Sequence, residues 1–104
     1  MLPKKYRLPI QFFIKKSGKI YRSRFFLLKV FVSSLAYCRF AAVVSKKVAP
    51  KAVVRNKLKR FIFNFLKERA GSMISNDYLL ILSPGANELT KEELLKELEL
   101  VFGF

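Results

Sequence analysis

The sequence predicts one α+β domain in which helices back a single sheet. Apolar runs with the two-residue period of strands lie on both sides of a long stretch with a helical period. A chain of 104 residues suits one hydrophobic core, and neither an internal repeat nor a low-complexity linker divides it. The order of helix, two or three strands, helix, strand and helix therefore indicates a single two-layer domain over residues 1–104.

The amino-terminal third combines basic residues with short apolar pieces. Residues 1–9 hold three basic side chains and two prolines, which predicts an extended, flexible basic arm. The segment Ile10–Gly18 is predicted to form one or two helical turns. Lys19–Arg22 is predicted to be a short strand, and Arg24–Ser33 a longer one.

The longer strand has two different faces. Lys29 interrupts its apolar run and so marks the face that meets water. Phe25 and Phe31 share that face, where nucleic-acid bases can stack on aromatic rings, although packing beneath a neighbouring segment would satisfy both rings equally well. The other face is predicted to enter the core through Phe26, Leu28, Val30 and Val32.

Three further elements complete the predicted sheet and its helices. Tyr37–Ser45 is expected to pair antiparallel with the preceding strand, because the short SSLA link favours a hairpin. Arg39 would then face the same side as Lys29 and border an open trough. The nearly all-apolar run Tyr78–Ser83 belongs in the interior of the sheet. Thr90–Glu93 is a capping box that begins a last helix, whose glutamates are expected to be solvated.

The stretch from Pro50 to Ala70 combines dense positive charge with a helical period. Pro50 suits the first helical turn, and Gly71 suits the position just past the end. No acid occurs before Glu68, although surface helices usually mix signs to gain i,i+4 pairs, so we expect a polyanionic partner. Phe63 falls amid the polar face and is predicted to meet another element, with contact to an RNA surface as the alternative. The apolar face comprises Val54, Leu58, Phe61, Ile62 and Phe65, and the polar face comprises Arg55, Asn56, Lys59 and Arg60.

Charge is divided unevenly along the chain. Residues 1–67 contain 18 basic and no acidic residues, whereas residues 68–104 contain three basic and seven acidic ones, which gives the net charge of +14. The positive charge is spread over several elements rather than along one amphipathic helix, so nucleic acid is favoured over a membrane surface. No apolar run reaches the ~18 residues that a membrane helix needs. With no secretory signal and Cys38 as the single cysteine, the chain is expected in the cytoplasm.

Catalysis by the protein itself is not expected. The chain has no histidine, no cluster of metal ligands and no Gly-rich phosphate loop. Its acids are expected to lie in the carboxy-terminal region, away from the basic surface. We therefore predict no catalytic residue and no metal site in the protein.

A short motif resembles that of a known family. Lys46 and Lys47 precede the sequence AVVRNKLKR at residues 52–60. This arrangement resembles the signature of the bacterial ribonuclease P protein, in which a lysine pair and a spacer precede A-x-x-R-N-x-x-[KR]-R. Weaker similarity extends over nearly the whole chain. The residues that match at the family's spacing are Ala52, Arg55, Asn56, Lys59 and Arg60.

The resemblance implies a fold, a function and a set of contacts. It implies the order αβββαβα, a four-stranded and mostly antiparallel sheet, and a left-handed βαβ crossover. It also implies that a catalytic RNA subunit, with Mg²⁺ held mainly by RNA, removes the 5′ leader from precursor tRNA. One protein per RNA subunit would bind both that RNA and the leader, with no membrane and no small-molecule substrate involved. The expected contacts to the RNA subunit are Lys46, Lys47, Lys51, Arg55, Asn56, Lys57, Lys59 and Arg60. The expected contacts to the leader are Phe12 or Phe13, Phe25, Lys29 and Arg39.

Two other classes of function are compatible with the sequence. A small ribosomal-type RNA-binding protein would share the charge and size without a part in cleavage. A basic membrane-surface protein would bind anionic vesicles as well as RNA. Stimulation of precursor tRNA cleavage by a bacterial ribonuclease P RNA at low Mg²⁺ would separate the first function from the other two.

Overall fold

The computed structural model describes residues 6–9 and 18–103. The predicted amino-terminal helical turns, with Phe12 and Phe13, fall on residues outside this part of the chain. The strands are β1 (Lys19–Arg22), β2 (Phe26–Val32), β3 (Arg39–Val43) and β4 (Asn76–Leu82). The α-helices in the described residues are α1 (Ala52–Arg69) and α2 (Lys91–Phe102).

The strands form one sheet in the order β1-β2-β4-β3. β2 pairs antiparallel with both β1 and β4, whereas β3 pairs parallel with β4, so the predicted α+β class with a mostly antiparallel sheet is confirmed. The predicted hairpin between β2 and Tyr37–Ser45 is wrong, because β4 lies between these strands. Leu79 and Leu80 point to opposite faces of β4 and are both buried, which confirms its predicted interior place. A strand that is apolar on both faces gains most from burial between two neighbours.

The main core lies between one face of the sheet and the two helices. Phe26, Leu28 and Val30 of β2 contact this core, as the alternation predicts. Val32 does not, because it is the last residue of the strand and is 93% exposed. The helices contribute Ile62, Phe65, Leu66, Leu94, Leu98 and Val101, and the remaining predicted residues of the apolar face of α1 pack around this cluster. The helical period therefore identified the buried side of α1 correctly.

The ends of α1 differ from the prediction. Lys51 has an extended backbone (φ −84°, ψ 130°), so the helix begins at Ala52 and Pro50 precedes it instead of occupying its first turn. At the other end Gly71 lies within a 3₁₀ turn, Ala70–Ser72, that follows α1 directly.

The predicted capping box at the start of α2 is confirmed. The backbone N–H of Glu93 donates to Thr90 Oγ1 at 3.1 Å, and the backbone N–H of Thr90 donates to Glu93 Oε1 at 3.0 Å. The hydrogen bond from the Thr90 backbone N–H, together with a smaller contribution from the Thr90 side chain, lowers the pKa of the Glu93 carboxyl, because it stabilises the ionised form.

A smaller apolar cluster covers part of the opposite face of the sheet. It joins Phe31 of β2, Ala41 of β3 and Leu79 of β4 to Leu8. The N–H of Leu8 donates to the carbonyl of Phe40 at 2.8 Å, and the preceding residue forms a parallel bridge with the same strand. This part of the predicted arm therefore lies along the outer edge of β3.

Candidate nucleic-acid interface

Exposed cations surround the start of α1. We define the basic face as Lys46, Lys47, Lys51, Asn56, Lys57, Lys59 and Arg60. All of these are exposed except Lys59, which is half-buried. The ion pairs found in the described part of the chain involve Arg39 and Arg69 and none of the basic face. Like charges held together without carboxylates repel one another, and a polyanion relieves that repulsion.

A tight loop positions the three lysines that precede the helix. Val48 and Ala49 are buried, and their N–H groups each donate to the carbonyl of Ser45 at 3.1 Å. Burial of this apolar pair leaves the flanking lysines in solvent. The first turn of α1 contains no acid, so the partial positive charge of the helix N-terminus adds to theirs.

Arg55 holds this loop against the helix. Its Nη1 donates to the carbonyl oxygens of Ala49 at 2.9 Å and Pro50 at 2.8 Å. Its half-buried guanidinium therefore fixes the backbone that presents the lysines, in addition to any contact with a partner. The sequence indicated the charge of Arg55 but not this supporting role. Hydrogen bonds to backbone carbonyls cannot be recognised from side-chain types.

A shallow pocket of about 170 Å³ lies on the exposed side of α1. Its walls are Asn56, Lys59, Arg60 and Phe63, which are spaced at i, i+3, i+4 and i+7 and so share one side of the helix. Phe63 also packs against the edge of the main core, as predicted. An aromatic ring beside an amide and two cations can contact a base and its phosphate together.

Arg39 and Lys29 lie on the same face of the sheet, with β4 between them. Nε and Nη2 of Arg39 donate to the carboxylate of Asp77 at 2.9 and 2.8 Å. Hydrogen bonding to this carboxylate raises the pKa of Arg39 and balances its charge. Asp77 is buried, so the expectation that every acid lies away from the basic part of the chain is wrong at this residue. The predicted strand began at Tyr78, so Asp77 was placed in the preceding link, whereas β4 begins at Asn76 and includes it.

The aromatic residues predicted beside Lys29 do not form an open platform. Phe25 precedes β2 and packs against the main core, with the Arg24 guanidinium 5.3 Å from its ring centre. It therefore does not join Lys29 and Arg39. Phe31 shares the face of Lys29 as predicted, but its ring is buried in the smaller cluster and is 3% exposed.

The described residues contain no group of three or more His, Cys, Asp or Glu side chains that could hold a metal ion. No helix within residues 6–9 and 18–103 is long and apolar enough to span a membrane. A small α+β domain with an uncompensated cationic helix face and an adjoining aromatic pocket is typical of a nucleic-acid-binding protein.

Comparison with known proteins identifies the family. The family model described as Ribonuclease P matches residues 2–103, and the chain belongs to this family. Homologues and structural neighbours are ribonuclease P protein components, so the role supported is that of the protein part of a tRNA-processing ribonucleoprotein enzyme with an RNA partner. The family predicted from the lysine pair and the AVVRNKLKR motif is confirmed.

Individual relatives agree with this assignment. The ribonuclease P protein component of Prochlorococcus marinus is 37% identical over 100 residues, which cover 82% of this chain and 79% of that protein. The component from a Synechococcus strain is 43% identical over 61 residues, or 57% of this chain and 48% of its own length.

Two solved structures show the same fold. One is the Staphylococcus aureus RNase P protein, solved as a mutant with defective mRNA degradation activity. It has a TM-score of 0.86 and 28% identity, and covers 96% of this chain and 87% of its own. The other is the Thermotoga maritima RNase P protein in complex with 1-(4-fluorophenyl)-2-thiourea. It has a TM-score of 0.83 and 25% identity, and covers 92% of this chain and 96% of its own.

Proposed function

We propose that this protein binds the catalytic RNA subunit of ribonuclease P through the basic face and assists removal of the 5′ leader from precursor tRNA. The observation that carries the proposal is the set of exposed cations on α1 and its preceding loop without carboxylate partners. Each phosphate that such a cation neutralises adds about 0.9 to the slope of log K against log salt concentration. The RNA complex should therefore be strongly salt-dependent.

Most of the proposed residues contact RNA, whereas one supports the backbone that presents them. Lys46, Lys47 and Lys51 contact phosphates from the loop, while Lys57 and the shallow pocket of α1 contact the same RNA from the helix. Arg55 keeps the loop and helix in register through its two backbone hydrogen bonds. The proposed contacts therefore depend on a preorganised backbone, which reduces the entropy lost on binding.

The leader is proposed to bind across the sheet face that carries Lys29. Phe12 or Phe13 would supply stacking there. Arg39 supplies hydrogen-bond donors but little net charge, because Asp77 balances it. Phe25 is not among the proposed leader contacts, because its ring packs against the main core.

The Mg²⁺ that supports cleavage is assigned to the RNA. The protein's cations reduce the repulsion between two polyanions, the RNA subunit and the precursor tRNA, so less Mg²⁺ is needed for their association. We propose one protein per RNA subunit, acting in the cytoplasm, where precursor tRNA is processed.

The direct test is cleavage of 5′-labelled precursor tRNA by a bacterial ribonuclease P RNA at low Mg²⁺, with and without the protein. The protein should increase the rate. The double variant Lys57→Ala/Arg60→Ala should lose most of this increase, and its salt slope for RNA binding should fall by about 0.9 for each lost contact. The double variant Lys91→Ala/Lys96→Ala is the matched control, because it removes the same charge from exposed positions on α2.

The outcomes separate the alternatives. RNA binding without stimulation by the wild-type protein would favour a structural RNA-binding role. If the two double variants lose the same share of the cleavage stimulation, the effect depends on net charge alone. The basic face would then be rejected as the RNA-binding surface. Tight binding to anionic vesicles at the same salt concentration would instead favour a membrane-surface protein.

A further inference from the structure

A second and larger pocket lies at the carboxy-terminal end of α1. Its volume is about 370 Å³, which is within the range of small-ligand sites. Its described walls come from the segment that leads into β3, from the end of α1 with the following turn, and from Tyr6. None of the contacts proposed above uses it.

The inner wall of this pocket is aromatic. Tyr6 and Tyr37 are half-buried and meet edge to face, with ring centres 5.5 Å apart and an interplanar angle of 88°. Phe40 also lines the pocket and is 1% exposed. An aromatic wall of this kind accommodates a flat ring, on which any of the four bases can stack.

A cation also lines the pocket. Lys67 is exposed in the last turn of α1 and forms no ion pair with any residue of the described chain. The adjacent acid, Glu68, pairs with Arg69 instead, with Oε2 and Nη1 3.7 Å apart. The pocket thus combines an aromatic surface on which a base can stack with a positive charge that can contact its phosphate.

The pocket lies in line with the basic face along α1. Asn56, Arg60, Phe63 and Lys67 are spaced at i, i+4, i+7 and i+11 and so form one stripe along α1. This stripe extends for about 16 Å at the helical rise of 1.5 Å per residue. An RNA strand that follows the stripe from the shallow pocket reaches the larger pocket.

We propose that the larger pocket holds one unpaired nucleotide of the RNA that docks on the basic face. The base stacks within the aromatic wall and its phosphate contacts Lys67. This inference rests on the function proposed above and deepens it, because it adds a site that distinguishes unpaired from paired RNA to a surface that otherwise binds phosphates. Paired bases are excluded, since a stacked duplex cannot insert a single base without opening.

The first test measures affinity for a bacterial ribonuclease P RNA. Tyr37→Leu, which keeps an apolar side chain but removes the ring, should weaken binding about tenfold. Tyr21→Leu is the matched control on β1, where the ring is 43% exposed and remote from the pocket lining, and should change affinity less than about twofold. Lys67→Gln should lower the salt slope by about 0.7, the value for a phosphate of a single strand.

A second test does not depend on the stability of the tyrosine variant. Gly71 lines the pocket, and a Cβ added there meets no atom within 4 Å, so Gly71→Cys should fold normally. Cys38 is buried, and burial raises the pKa of its thiol, so a thiol-directed photocrosslinker reacts at position 71 instead. Crosslinks should map to one short unpaired segment of the RNA, whereas Glu92→Cys on α2 should give none there.

The mapped nucleotide then allows a double-mutant cycle. Removal of its base should weaken binding of the wild-type protein about tenfold but leave Tyr37→Leu unchanged, because the ring that contacts the base is already absent. Equal losses of affinity in both proteins, or crosslinks confined to paired RNA, would overturn the proposal that the pocket holds an unpaired nucleotide. If the wild-type protein does not bind the RNA at all, the proposed function itself fails, which is a different result from normal binding without these effects.

Discussion

Removal of Arg39 tests whether its ion pair with Asp77 stabilises the sheet. Arg39→Ala leaves a carboxylate whose side chain is 4% exposed without its guanidinium partner. Breaking a buried pair in this way costs about 3–5 kcal/mol. Asp77→Ala instead leaves a guanidinium that is 23% exposed, so water replaces part of the lost interaction and the expected cost is about 1.5–3 kcal/mol. The arginine substitution should therefore be the more damaging of the two.

The double variant measures the coupling between the two side chains. Arg39→Ala/Asp77→Ala leaves neither charge buried, so its cost should be smaller than the sum of the single costs by more than about 1 kcal/mol. Urea unfolding followed by circular dichroism gives these free energies of unfolding. In a thermal scan, Arg39→Ala should lower Tm by at least about 12 °C, since 1 kcal/mol corresponds to about 4–8 °C in a domain of this size.

Arg22→Ala is the matched control, because this arginine is exposed on β1. Its effect should stay within about 0.5 kcal/mol. The reasoning is refuted if Arg39→Ala is no more destabilising than this control, or if the costs of the two single variants simply add.

Three further substitutions test other contacts. Arg55→Ala removes two hydrogen bonds to backbone carbonyls and should cost about 1.5–3 kcal/mol of stability, whereas the exposed Lys57→Ala should cost almost nothing in the same thermal scan. Gly18→Ala would place a Cβ 2.7 Å from an aromatic ring of β2 and 2.8 Å from a backbone oxygen, at a cost of about 1–3 kcal/mol, whereas Gly71→Ala has open space and should be neutral or slightly stabilising. The pKa of Glu93 is lowered in the folded state, so the stability it contributes is present above the usual glutamate pKa and is lost as the pH falls through the lower folded value. Glu93→Gln should flatten this part of an acid titration followed by circular dichroism.

Local patterns predicted the features that depend on neighbours in sequence. The apolar side of α1 follows from a period of 3.6 residues, and the alternation in β2 follows from a period of two. The Thr90 capping box is likewise recognisable because both of its hydrogen bonds join residues three apart. The family motif was readable for the same reason, since its residues lie within one stretch of chain.

Long-range choices were not predictable in this way. The link between β2 and β3 is compatible both with a hairpin and with a step across one intervening strand. The second arrangement is favoured because it buries the apolar strand β4 between two neighbours. Once β3 was placed beside the wrong neighbour, the contact between Arg39 and Asp77 could not be foreseen, because these residues lie 38 positions apart. The environment of Phe25 also depended on where β2 begins, because the predicted strand began at Arg24, two residues before the observed start at Phe26.

Because β4 lies between β2 and β3, the sheet beneath the basic face is completed only by a strand that follows that face in the chain. The ribosome delivers residues 1–67, with all their positive charge, before the strand that joins β2 to β3 has emerged. Until then both strands keep an open edge, a state that favours aggregation over folding. A chain interrupted before β4 therefore carries the basic residues of α1 without the complete sheet on which that helix packs.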